Sequence, residues 1–116
     1  MPGGKFCVYV IELDKSVANV KEFRERNPDM NPNLPCFYVG QTRKHPAVRD
    51  KEHRIYKYDN PSDRILNGYW VKRREDLYAK YNPIPNLEEA IKREEWLANK
   101  LKSEGHGVWV GLGIPK

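Results

Sequence analysis

The stretch FCVYVIEL, residues 6–13, is apolar at both parities up to Ile11. A strand with one wet face alternates polar and apolar side chains. This run does not alternate and is crowded with Val, Ile and aromatic residues, so it predicts a central strand covered on both faces. A second run of the same character, CFYVG at residues 36–40, predicts another strand with Gly40 closing it. Together with the helices that surround them, these runs give a small single-domain α/β fold.

Between the two strands, residues 16–26 place Val17, Val20 and Phe23 at helical spacing, and residues 27–35 follow with three prolines as a loop. Downstream, Pro46 suits the first turn of a helix running to about Tyr56, because its missing N–H has no partner there in any case. Residues 60–67 predict a further short helix with Ser62 as N-cap and Gly68 at its C-terminal end. Residues 71–81 carry no decisive pattern. Asn86, with Glu89 three residues on, forms a capping-box signature that opens a long helix stopped by Gly105 and Gly107. Residues 108–110 are apolar enough for a last short strand.

That long helix carries an anomaly. Leu87, Ala90, Ile91, Leu97, Ala98 and Leu101 recur at helical spacing, and Glu94 projects along the middle of their stripe. An ionised carboxylate buried among leucines costs several kcal/mol. Glu94 therefore answers either a metal ion or cationic ligand, or an Arg or Lys in a structural ion pair, and the helix alone leaves both open.

Composition narrows the classes. The 116 residues form one domain, and a net charge of +5 favours an anionic partner such as nucleic acid. Cys7 and Cys36 are too few for a disulfide framework and lack zinc-ligand spacing, which makes a reducing cytoplasm the expectation. The apolar run 6–13 is short, includes Glu12 and lacks a small-residue cleavage site, so no secretory leader is expected, and nothing approaches a membrane span.

Tyr9 and Tyr38 each stand inside an apolar strand, and Arg49 and His53 stand four apart on the helix that begins at Pro46. Cys7-Val8-Tyr9, then Tyr38-Val39-Gly40, then Arg49 and His53, and finally Glu94 in the long helix give an order that resembles the GIY-YIG nuclease family. The resemblance runs from Cys7 to about Gly111. Cys7 and Val8 replace the Gly and Ile of the first motif. The interval between the tyrosines is longer than in compact members, so 27–35 reads as a loop insertion able to touch a substrate or partner. An asparagine that some members carry after the glutamate has no match, since Asn99 lies too close and His106 and Trp109 occupy that region.

The resemblance implies a three-stranded antiparallel sheet flanked by helices and a metal-dependent endonuclease acting on DNA. It implies Tyr9 as general base for the attacking water, with His53 assisting and Tyr38 hydrogen-bonding in the same cluster. Arg49 would clamp the scissile phosphate, and Glu94 would hold one hard divalent ion, Mg²⁺ or Mn²⁺. Thr42, Arg43 and Lys44, just past the second strand, are candidates for nucleic-acid contacts, with Arg64, Lys72, Arg73, Arg74, Lys92 and Arg93 as further basic residues. Tyr56, Tyr58, Tyr69 and Trp70 either stack on bases or pack the core. Two rival readings remain beside the DNA endonuclease and its RNA-directed variant. One is a non-catalytic nucleic-acid-binding module on the same fold, and the other is an interaction domain whose charge serves solubility. Oligomeric state is not legible in the sequence.

Overall fold

The computed structural model describes residues 6–42 and 61–111. In chain order these contain β1 (Cys7–Leu13), α1 (Lys21–Arg26), β2 (Cys36–Thr42), α2 (Pro61–Tyr69), β3 (Trp70–Arg73), α3 (Leu87–Ser103) and β4 (Gly107–Val110). Short 3-10 turns stand at Lys15–Asn19, Glu75–Leu77 and Ala79–Tyr81. The helix expected from Pro46 to Tyr56 lies outside the described residues.

The strands form one sheet in the order β3-β1-β2-β4. β1 is antiparallel to both neighbours and β4 is parallel to β2, so the expected three-stranded antiparallel sheet is corrected to a four-stranded mixed one. The reason lies in the connection. β3 and β4 point the same way, and α3 between them supplies the helical crossover that same-direction strands require.

β1 is interior to the sheet, and Val8, Val10 and Ile11 are wholly buried on its two faces, as the unbroken apolar run predicted. β2 does not stop at Gly40 but continues to Thr42, with Gly40 in mid-ladder opposite Tyr9. The helix expected over 16–26 is split in two. Asp14 accepts hydrogen bonds from the Ser16 backbone N–H at 2.9 Å and from its Oγ at 2.7 Å, which favours a tight turn over a helical start. Val20 is then extended before α1 begins, yet Val17 and Phe23 both reach the core.

Two asparagines close the flanks of the sheet. Asn27 accepts from the Val108 N–H at 2.8 Å and donates to the Val108 and Phe23 carbonyls at 3.0 and 2.9 Å, satisfying the outer edge of β4. Asn82 does the same for the start of β1, which β3 does not reach, accepting from the Val8 N–H and donating to its carbonyl, both at 2.8 Å. Segment 27–35 is thus irregular in conformation but fastened at its root to β4.

α3 follows its sequence signals closely. The Asn86 side chain accepts from the Glu89 N–H at 2.9 Å. At the other end Gly105 adopts φ 99°, and the bonds from Gly105 N–H to Lys102 O and from His106 N–H to Leu101 O complete a Schellman motif. Ala90, Glu94, Leu97, Ala98 and Leu101 form its buried face, packed on β4, β2 and β1. Each buried leucine contributes about 1.5–3 kcal/mol.

Candidate active site

Residues directly opposite on neighbouring strands share a face of the sheet. The ladder pairs Tyr9 with Gly40, Ile11 with Tyr38 and Tyr38 with Trp109, so both tyrosines lie on the Trp109 face. Their rings are 6.1 Å apart between centroids and inclined by 22°, and both side chains are buried.

A glycine lies under each phenol. A Cβ on Gly40 would stand 2.6 Å from both Cζ and Oη of Tyr9. One on Gly111 would stand 2.5 Å from Tyr38 Oη. Those distances lie well inside van der Waals contact, so the bare backbone at 40 and 111 makes room for the two hydroxyls. Gly40 therefore serves to seat Tyr9, and the strand runs on through it because Gln41 and Thr42 go on pairing with Val8 and Cys7.

Glu94 is 0% exposed, and neither carboxylate oxygen has a hydrogen-bond partner among the described residues. The structural ion pair that was one of its two readings is absent there. Burial pushes its pKa up to about 8, with the neighbouring Glu95 charge adding to the rise. Without a counter-ion the side chain holds its proton at neutral pH. Two unpartnered oxygens on a hard carboxylate fit the donor chemistry of Mg²⁺ or Mn²⁺, and substrate oxygens and water must supply the remaining ligands. No group of three or more His, Cys, Asp or Glu that could hold a metal occurs among the described residues.

Of the other expected site residues, Thr42 is buried at the end of β2, opposite Cys7. Arg43, Lys44, Arg49 and His53 lie outside the described residues, as do Tyr56 and Tyr58. Arg74 is committed elsewhere: its guanidinium meets Glu12 at 2.8 Å and Asp76 at 2.9 Å, which raises its own pKa and lowers that of Asp76. Lys92 faces Glu88 and Glu89 at 3.4 and 3.8 Å. Tyr69 and Trp70 pack against the core.

The structure thus brings Tyr9 and Tyr38 together and leaves the Glu94 carboxylate unpaired, with no hydrogen bond from it to either phenol. The seating glycines were missed in the sequence because a glycine after a strand-like run also reads as a terminator. For Gly40 the signal was its place opposite Tyr9 in the ladder, which needs the register, and for Gly111 it was its position just past β4, beside Tyr38. Comparison of the chain with protein-family models, with curated proteins and with solved structures gives no match. No helix among the described residues is long and apolar enough to cross a membrane.

Proposed function

We propose that the chain is a metal-dependent endonuclease that hydrolyses phosphodiester bonds of DNA, built on the GIY-YIG pattern. The observation that carries the proposal is Glu94, a fully buried carboxylate with both oxygens unpartnered on a helix that otherwise packs leucine and alanine. A fold that keeps such a group bears its desolvation cost for a reason, and binding a hard cation is the chemistry that rewards it.

The roles are those that the resemblance implies. Tyr9 takes the proton from the attacking water, and the adjacent Tyr38 phenol steadies the same cluster. A phenol titrates near pH 10 in isolation, so a cationic neighbour must favour the phenolate, and Arg49 with His53 supply that charge by the sequence pattern. Arg49 also grips the scissile phosphate with two N–H groups. Glu94 holds the divalent ion. When bound, that ion supplies charge relief to the departing oxygen. Arg43 and Lys44, which follow the buried Thr42, contact the DNA backbone.

Incubation with plasmid, branched DNA and structured RNA, each with Mg²⁺, Mn²⁺ or EDTA, tests the proposal. Cleavage of DNA in the metal arms alone is the expected result. The proposal fails if no substrate is cut in any arm.

The complete enclosure of Glu94 favours a second reading, a non-catalytic nucleic-acid-binding module in which Glu94 stays protonated in the core. Metal-independent DNA binding without cleavage is its signature in the same experiment.

A further inference from the structure

Trp96 is 44% exposed, one of only two large apolar side chains so exposed among the described residues. It lies on α3 away from the buried stripe. Tyr81 meets it edge-on with centroids 5.4 Å apart and planes at 76°. The Arg93 guanidinium sits 4.8 Å from the Trp96 centroid and 4.7 Å from that of Tyr81, and Lys80 Nζ is 5.3 Å from Tyr81. An open cavity of about 190 Å³ adjoins them, lined by Glu89, Lys92, Arg93 and Trp96.

We propose that Trp96, Tyr81 and Arg93 form a stacking platform for an unpaired nucleobase, so that the preferred substrate is single-stranded or contains an unpaired segment. Two fixed rings, one of them with a large bare area, offer a surface on which any base stacks regardless of its identity. Lys80 and Arg93 beside the rings supply the positive charge that a phosphodiester chain follows. Lys92 contributes less, because Glu88 and Glu89 already face it. Duplex bases present no free π-face, so the platform discriminates against intact double helix. The charge also decides the occupant: an exposed tryptophan alone suits a protein surface, whereas one flanked by Arg93 and Lys80 in a chain of net charge +5 suits a polyanion. Trp96 follows Glu94 by two residues, about 200° around α3, so a base stacked on it lies across the helix from the candidate metal ligand, about one helix diameter, ~10 Å, away.

This substrate preference rests on the nuclease reading, but the platform is tested by binding alone. Labelled single-stranded and duplex oligonucleotides of equal length are titrated in EDTA against wild type, Trp96→Ala and Trp96→Phe, with melting curves and gel filtration for each protein. Trp96→Ala should weaken single-strand binding about 5- to 150-fold, the usual loss for one stacked base. Duplex affinity should move less than about threefold, and Trp96→Phe should recover most of the loss. Equal weakening on both nucleic acids, unchanged single-strand binding by Trp96→Ala, or a change of oligomeric state in that variant each overturns the platform. The last outcome would assign the patch to self-association. Single-strand binding that depends on Trp96, in a protein that cuts nothing with any metal, would keep the platform and remove the nuclease reading. Metal-dependent cleavage without that dependence would do the reverse.

Discussion

Glu94 ties stability to pH in an unusual direction. The folded chain keeps its carboxyl protonated to about pH 8, whereas an unfolded glutamate releases the proton near 4.5. Between those values the folded state binds more protons, so stability falls as pH rises from about 4.5 to 8 and levels beyond. The span corresponds to a loss on the order of a few kcal/mol. Glu94→Gln should remove this slope when urea denaturation is repeated across pH in EDTA, and should abolish metal-dependent cleavage. A variant that cuts like wild type would exclude Glu94 as the metal ligand. Tyr9→Phe keeps the ring over Gly40 and should cost about 1 kcal/mol or less. Its single-turnover rate should fall by about two to four orders of magnitude, the range for a lost general base, together with the rising alkaline limb of the pH profile. Retention of both would pass the base role to His53. Gly40→Ala drives a methyl group into the Tyr9 ring and should cost about 1–3 kcal/mol, read as a lowered urea midpoint at constant m.

Elements whose signals are local were legible in the sequence. The capping asparagine, the apolar stripe and the terminal glycine bounded α3, and unbroken apolarity placed β1 inside the sheet. Glu94 was legible for the same reason, as an exception to a strong period. Elements defined by partners were not. β3 is four residues long with Val71 exposed, so no periodicity announced it. The parallel pairing of β4 depends on where α3 delivers the chain, which no short window reports. Tyr81 meets Trp96 from a different element, and that meeting is a tertiary event. The two asparagines at the flanks of the sheet belong to this category too. Asn27→Ala strands the Val108 N–H and two carbonyls in a buried place and should cost about 3 kcal/mol. Asn86→Ala, at the exposed start of α3, should cost about 1 kcal/mol. Equal losses in paired denaturation curves would mean that the β4 edge finds substitute partners.

At the scale of the molecule, a mixed sheet with helices packed on it holds the tyrosine pair and Glu94 on rigid elements, while much of the basic charge is distributed elsewhere. The net charge of +5 predicts nucleic-acid binding that weakens as salt rises, and Arg74 should contribute little to that slope because its charge is matched by Glu12 and Asp76. Titrations at several salt concentrations should give nearly parallel lines for wild type and Arg74→Gln. A slope lowered by about one in the variant would show that Arg74 faces phosphate after all.

The asparagines that close the sheet bear on how the protein ages. Asparagine side chains deamidate when the backbone nitrogen of the following residue attacks the carboxamide, and a proline nitrogen, carrying no hydrogen, is poorly able to do so. Asn27 precedes Pro28 and Asn82 precedes Pro83, so both edge asparagines are chemically shielded where conversion to aspartate would place a charge against a strand backbone. Asn67 precedes Gly68, the least hindered neighbour for that attack, in the last turn of α2, where fraying of the helix end releases the Gly68 nitrogen. Prolonged storage followed by peptide mass mapping should find aspartate and isoaspartate accumulating at position 67 while 27 and 82 stay intact, so that the sheet outlasts the surface around it.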